Sequence, residues 1–425
     1  MSTEGVDLEQ ILEAYGELVV RIGLNLQPGQ RLLIIGPLAS GGMSLEAAPL
    51  VREVAASAYR AGAPLVEAIW GDEALHLLRF QHAPPDSFDQ FSGWLAKALV
   101  DHVEAGHAIV SIYANDPDQL KAAPAALIGR LQKATSQSML TFRQQIGRNQ
   151  TNWTVVAAAG AGWAAKVFPD LAPDRQVPQL WTAIASLCRL DQPQPIAAWE
   201  RHLESLAARR DLLNGKRYTA LTYNGPGTSL TIGLPDGHLW VSGRSSTGSG
   251  IPFVPNLPTE EVFTMPHKDR VDGLVRATKP LSYGGTLIEG FTLQFAEGRI
   301  VKMTADRGDS VLRQLVDTDA GAARLGELAL VPHSSPVAQS GLLFYNTLFD
   351  ENAASHIAIG SAYKFTLAGG EAMDEETFER AGGNRSATHV DLMIGSRDLD
   401  VDGVLPNGAT EPVMRRGEWA SELAR

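Results

Sequence analysis

The sequence runs to 425 residues, with 36 Lys plus Arg against 48 Asp plus Glu, a formal net charge of -12, and one cysteine. That length suits two or three domains, and 44% hydrophobic residues suffice for real cores, which excludes a disordered or fibrous chain. The acidic balance opposes electrostatic binding to nucleic acid or to anionic membranes, and the lone Cys188 excludes an internal disulfide framework, a thiolate zinc site and an iron-sulfur cluster.

In chain order, the N-terminus MSTEGVDLEQ has neither a basic region nor an apolar core, and no later run approaches about 18 uncharged apolar residues. The sequence therefore reads as a soluble, cytoplasmic protein without a membrane partner. An amphipathic helix is expected over residues 8–22, then a strand at RLLIIG, an Ala-rich helix over 46–61, and strands at APLVEAIW, HAIVSIYA and NWTVVAAA. This alternation predicts an α/β domain with a mainly parallel sheet. A long helix from about Pro195 to Leu213 ends at Asn214-Gly215, a C-cap signal, and the domain boundary is placed there: 1–215 and 216–425. Beyond it the texture is β-rich, with hairpin-turn signals at LPDGH and FAEGR and a helix expected over about 310–328, which makes the second domain α+β.

Two apparent motifs carry little. Gly160-Ala161-Gly162 follows a strand, but its helical stretch stops at Phe168-Pro169 and no acidic strand end follows, so it reads as a small-residue turn rather than a dinucleotide fingerprint. Histidines 76, 82, 102, 107, 202 and 238 lack partners at ligand spacing, and His267 in PHKDR reads as a solvated loop residue, a place in the substrate cleft being the alternative.

Four segments of the second half join metal-competent side chains to apolar or Gly-rich settings. In THVDLMIGS, His389 and Asp391 share one face of a strand, a half-site for Zn, Mn or Fe that a plain His-Asp hydrogen bond would explain equally well. His356 precedes the apolar pair Ile357-Ala358. Glu260 and Glu261 are adjacent, so at most one points into a site. Glu327 sits among apolar residues at an expected helix end, where a buried carboxylate needs a partner.

NLPTEEVFTMPHKDRVDG, the segment from GELALVPHSS to ASHIAIGSAY, and THVDLMIGSRDLDVDG resemble the M29 metalloaminopeptidases, the aminopeptidase T and aminopeptidase S group. YGELVVRIGLNLQPGQRLLI, NWTVVAAAGAGWAAKVFPD and EPVMRRGEWA are similar to the same family, so the likeness spans nearly the whole chain. It implies a binuclear centre of two divalent ions (Zn, Co, Mn or Mg) held in the second domain by Glu261, Glu327, His356, His389 and Asp391. Glu261 would bridge, with Glu327 and His356 on one ion and His389 and Asp391 on the other. It further implies a bridging water, Glu327 as general base, Tyr363 as oxyanion donor, short peptides with a free N-terminus as substrates, and a homodimer. The competing expectations are a mononuclear Fe(II) ring-cleaving dioxygenase, which would need only His356, His389 and Asp391, and a non-catalytic metal- or peptide-binding protein. Residue preference depends on pocket shape, which the sequence does not give.

Overall fold

Four apolar runs spaced by helices form the expected parallel sheet of the first half. Its strands lie in the order Val66–Ala68, Leu32–Ile35, Ala108–Tyr113 and Trp153–Ala157, every pairing parallel. All four residues of Leu32–Ile35 are buried, as a strand covered on both faces requires. The helix Leu8–Leu18 is capped by Asp7 and buries Ile11, Leu12, Tyr15 and Leu18, a helical stripe. The computed structural model describes residues 7–38, 41–283 and 286–423, so the reading of MSTEGV falls outside them. Among the described residues no helix is long and apolar enough to cross a membrane.

By contacts the chain divides into two units, Met1–Arg201 with Arg244–Pro258, and His202–Gly243 with Thr259–Arg425. The helix Pro195–Lys216 runs from one into the other. It continues past the Asn214-Gly215 stop that the sequence signals, and the chain turns instead at Arg217, which takes φ 50°. Asn214 is used otherwise: its amide donates to Trp240 O at 2.9 Å and accepts from Trp240 N at 2.8 Å.

Among the described residues the second unit holds two large antiparallel sheets and a two-stranded one, Leu281–Tyr283 with Thr286–Ile288. One has eight strands, beginning in spatial order at residues 299, 292, 271, 228, 220, 400, 410 and 418. The FAEGR signal closes a hairpin of this sheet, with Glu297 and Gly298 both at positive φ. LPDGH does not: the next strand, Val241–Ser242, pairs in the other sheet, and His238 bridges to Leu367.

That other sheet runs His389–Met393, His356–Gly360, Leu325–Leu330, Val262–Thr264, Val241–Ser242. The helix expected to continue to Leu328 is only Asp309–Val316, and Leu325–Leu330 is a fully buried central strand. A strand covered on both faces reads as a continuous apolar run, which sequence periodicity cannot separate from the end of a helix.

The pairing of this strand with His356–Gly360 is irregular between Leu325 and Glu327, around Gly326. A Cβ at Gly326 would lie 2.3 Å from Ser361 O and 2.4 Å from Gly360 O, both backbone atoms with no freedom to retreat. Gly326→Ala is therefore expected to destabilise the protein by about 2 kcal/mol or more. Denaturant unfolding measures it, and an unchanged midpoint would show that the close approach relaxes without cost.

Candidate metal centre

Strand register assembles the site. Ala358 lies opposite both Glu327 and Asp391, Ala329 opposite His356, and Gly360 opposite His389. Directly opposed residues share a face and residues two apart return to it, so Glu327, His356, His389 and Asp391 project together. Val262 pairs with Leu330, one residue out of phase with Ala329. Glu261, just before it, therefore turns toward the same face. The residues between the ligating side chains are Ala329, Ala358 and Gly360, and their small size leaves the face open.

The five side chains form two groups. Glu261, Glu327 and His356 make one, Glu327, His389 and Asp391 the other, with the potential ligand atoms of each group within 4.8 Å of one another. Glu327 is common to both: its Oε1 lies 3.5 Å from His356 Nε2, and its Oε2 3.5 Å from His389 Nε2. The resemblance gives Glu261 the bridging place; in the structure its Oε2 lies 3.3 Å from His356 Nε2, and among the described residues Glu327 is the member common to both groups. The central position of the Glu327 strand, with the His356 strand beside it, accounts for the difference.

Both imidazoles are oriented from behind. His356 Nδ1 donates to Ala354 O at 3.1 Å, and His389 Nδ1 to Ser361 O at 2.7 Å. A carbonyl only accepts, so Nδ1 carries the proton and Nε2 is presented to the carboxylates. Unprotonated, Nε2 sets its lone pair against theirs. Among the described residues, buried His356 Nε2 and Glu261 Oε2 have no partner in hydrogen-bond geometry despite their 3.3 Å approach. No lysine or arginine offsets these carboxylates: among the described residues, their ion-pair partners are the two histidines. Two buried carboxylates, a third half-buried, and two histidines presenting Nε2, with no sulfur, form a donor set that fits divalent cations. Such ions would compensate a charge that is otherwise costly to bury.

Without a cation, burial raises Glu327, with His356 and His389 opposing it and Glu261 and Asp391 adding to it. Burial pulls His356 down, but Glu261 and Glu327 overcome this and hold it well above the usual histidine range. His389 is likewise depressed by burial and carried by Asp391 and Glu327 up to about 9. Burial works against Asp391 ionising, and the two histidines still keep its carboxyl below the usual value.

Two further groups face the cluster. Burial, then the negative charges of Glu261 and Asp391, raise Glu351 well above the carboxylate range. Glu351 carries no motif of its own in the sequence; its place five residues before His356, in a run that must return to the sheet, is the available signal. Tyr363 packs against His389 at 4.7 Å between ring centroids and stacks on Phe365 at 5.2 Å. Crowding, then the field of Glu327, Asp391, Glu351 and Glu261, holds its phenol proton on. With 41% of the residue exposed, the carboxylate field is the weightier cause.

Glu260 belongs elsewhere. Its backbone N–H donates to Asn352 Oδ1 at 2.7 Å, and its carboxylate lies 3.6 Å from His202 Nε2. His267 accepts from Asp269 N at 3.2 Å in its own turn and does not line the cavity beside the cluster. Cys188 is buried, with its thiol 3.8 Å from Tyr15 Oη, and belongs to neither ligand group.

Comparison with known proteins converges on one group. The family profile described as "Thermophilic metalloprotease (M29)" matches residues 8–419. Aminopeptidase 2 of Geobacillus stearothermophilus is 47% identical over 98% of this chain and 99% of its own. Aminopeptidase T of Thermus thermophilus is 46% identical over 96% and 98%. The solved structure of wild-type AmpT from Thermus thermophilus superposes with a TM-score of 0.91 at 44% identity, covering 97% of this chain and all of that one.

The raised histidines fix a sign for pH. The stability that the charged imidazoles lend the metal-free fold is complete below about 6.5, the ordinary histidine value, and is lost as pH rises through about 9 for His389. A divalent ion must displace those protons. Titrating Zn²⁺ or Co²⁺ into chelator-treated protein near neutral pH is expected to release protons, with affinity climbing from about pH 6 to about 9. Calorimetry in buffers of different ionisation enthalpy reads both, and proton-neutral uptake with flat affinity would remove the histidines from the site.

Proposed function

The chain belongs to the M29 metalloprotease family, and from that footing we propose that it is a metal-dependent aminopeptidase. On this reading it removes the N-terminal residue of short peptides, as a cytoplasmic homodimer using two divalent ions of the Zn, Co, Mn or Mg class. The observation that carries the reading is the pair of ligand groups sharing Glu327 on one face of one sheet, in a chain whose curated relatives are named aminopeptidases over almost their full length.

Glu261, Glu327 and His356 would hold one ion, and Glu327, His389 and Asp391 the other. Bound divalent ions would supply Lewis acidity to the scissile carbonyl and lower the pKa of an attacking water. The remaining tasks fall to the chain's own side chains. Glu327 turns one oxygen to each histidine, the disposition of a shared ligand, which leaves little of it free to act as the base.

Glu351 is the carboxylate that pairs with neither histidine in that way, and we assign it to carry the proton from water to the leaving amine. Tyr363, held protonated beside His389, would donate its O–H to the oxygen that gains charge as the carbonyl is attacked. The carboxylates around the cluster also suit a substrate ammonium, which would restrict cleavage to free N-termini.

Two comparisons test this. The metal-loaded protein is expected to release the first residue of an unblocked peptide and to leave its N-acetylated form intact; equal cleavage of both would refute exopeptidase action. Glu351→Gln is expected to keep its metal while losing about 10²-fold or more in turnover, whereas Glu327→Gln loses metal as well. Near-normal turnover in Glu351→Gln would return the base role to another group.

A further inference from the structure

Beside the ligand cluster lies a cavity of about 270 Å³, lined in part by His389, Asp391 and Glu351 themselves. Its other walls differ in character: Leu281, Tyr283, Tyr345, Val390 and Met393 supply aromatic and aliphatic surface. No lysine or arginine is among the described residues that line it.

The wall at Tyr345 is built rather than incidental. Tyr345 sits at φ 55°, a left-handed conformation that a bulky side chain adopts only at a cost. The segment is held there by Asp350, whose two carboxylate oxygens accept Phe344 N at 2.8 Å and Asn346 N at 3.0 Å, one on each side of Tyr345. Asn346 in turn caps the helix Thr347–Asp350 by accepting Leu348 N at 3.1 Å. A carboxylate clasp, a helix cap and a strained backbone thus combine to present an aromatic residue to a cavity that shares three walls with the candidate centre.

We propose that this cavity takes the side chain of the substrate's N-terminal residue and selects aliphatic and aromatic residues over acidic ones, with Tyr345 as its principal specificity determinant. The inference rests on the aminopeptidase reading above and names the substrate class of that same site. Contact with the carboxylates of Asp391 and Glu351 on one side and apolar surface on the other suits a residue that joins a free ammonium to an uncharged side chain. An acidic side chain would meet the carboxylates of Asp350 and Glu351, with no lysine or arginine among the described lining residues to receive it, and be rejected by like charge.

The test compares kcat/KM of the metal-loaded protein on Leu, Phe, Ala and Glu p-nitroanilides. Wild type is expected to favour Leu and Phe over Ala by about ten-fold or more and to turn over Glu least. Tyr345→Gly removes the wall while suiting the left-handed backbone, so folding is preserved. Thr347→Trp narrows the cavity from an exposed position at the start of the helix. In each variant the Phe-to-Ala ratio should fall about ten-fold, and the melting-temperature rise given by free L-phenylalanine should shrink with it. Ratios and thermal shifts that match wild type in both variants would overturn the assignment of the cavity. Failure of wild type to cleave any of the four substrates would instead overturn the aminopeptidase reading, and the inference with it.

Discussion

Carboxylates gathered on one sheet face, with no lysine or arginine among the described residues paired to them, are the constraint on which the site depends. Among the described residues, the ion-pair partners of Glu261, Glu327 and Asp391 are the imidazoles of His356 and His389. Each imidazole is locked by a backbone carbonyl so that its second nitrogen points at those oxygens. In low dielectric such an assembly is costly unless protons or cations enter it. The upward shifts of Glu327, Glu351, His356 and His389 are the protonic answer; two divalent ions would be the metallic one.

Much of the surrounding architecture can be understood as support for that face. The sheet is antiparallel, so side chains from three neighbouring strands meet in direct opposition, and Ala329, Ala358 and Gly360 leave room between them. Gly326 lets the backbone at Ser361 approach closely, and Ser361 O is the acceptor that orients His389. The position of one glycine is thereby linked to the aim of an imidazole two strands away.

The parts of this arrangement visible in the sequence were those with a local signature. Alternation exposed the His389 and Asp391 pair, and strand-helix alternation exposed the parallel sheet of the first unit. Glu327 stands out as a carboxylate in apolar company, but its strand reads as a helix end because full burial erases the two-residue period. The sharing of Glu327 between two groups depends on strand order, which no single segment encodes. Glu351 escaped notice for the same reason: its proximity to Glu261 and Asp391 arises from three segments distant in sequence. Asn214 shows the converse, a residue with a strong local helix-ending signal that tertiary contact with Trp240 puts to another use.

The oxygenase alternative would use His356, His389 and Asp391 with one iron, and it leaves Glu261 and Glu327 without a task. Anomalous diffraction from crystals of metal-loaded protein, recorded across the absorption edge of the ion supplied, decides between the two most directly. Two peaks per chain are expected, one in each ligand group, with Glu327 contacting both. A single peak held by His356, His389 and Asp391 alone, with Glu261 and Glu327 turned away, would contradict it.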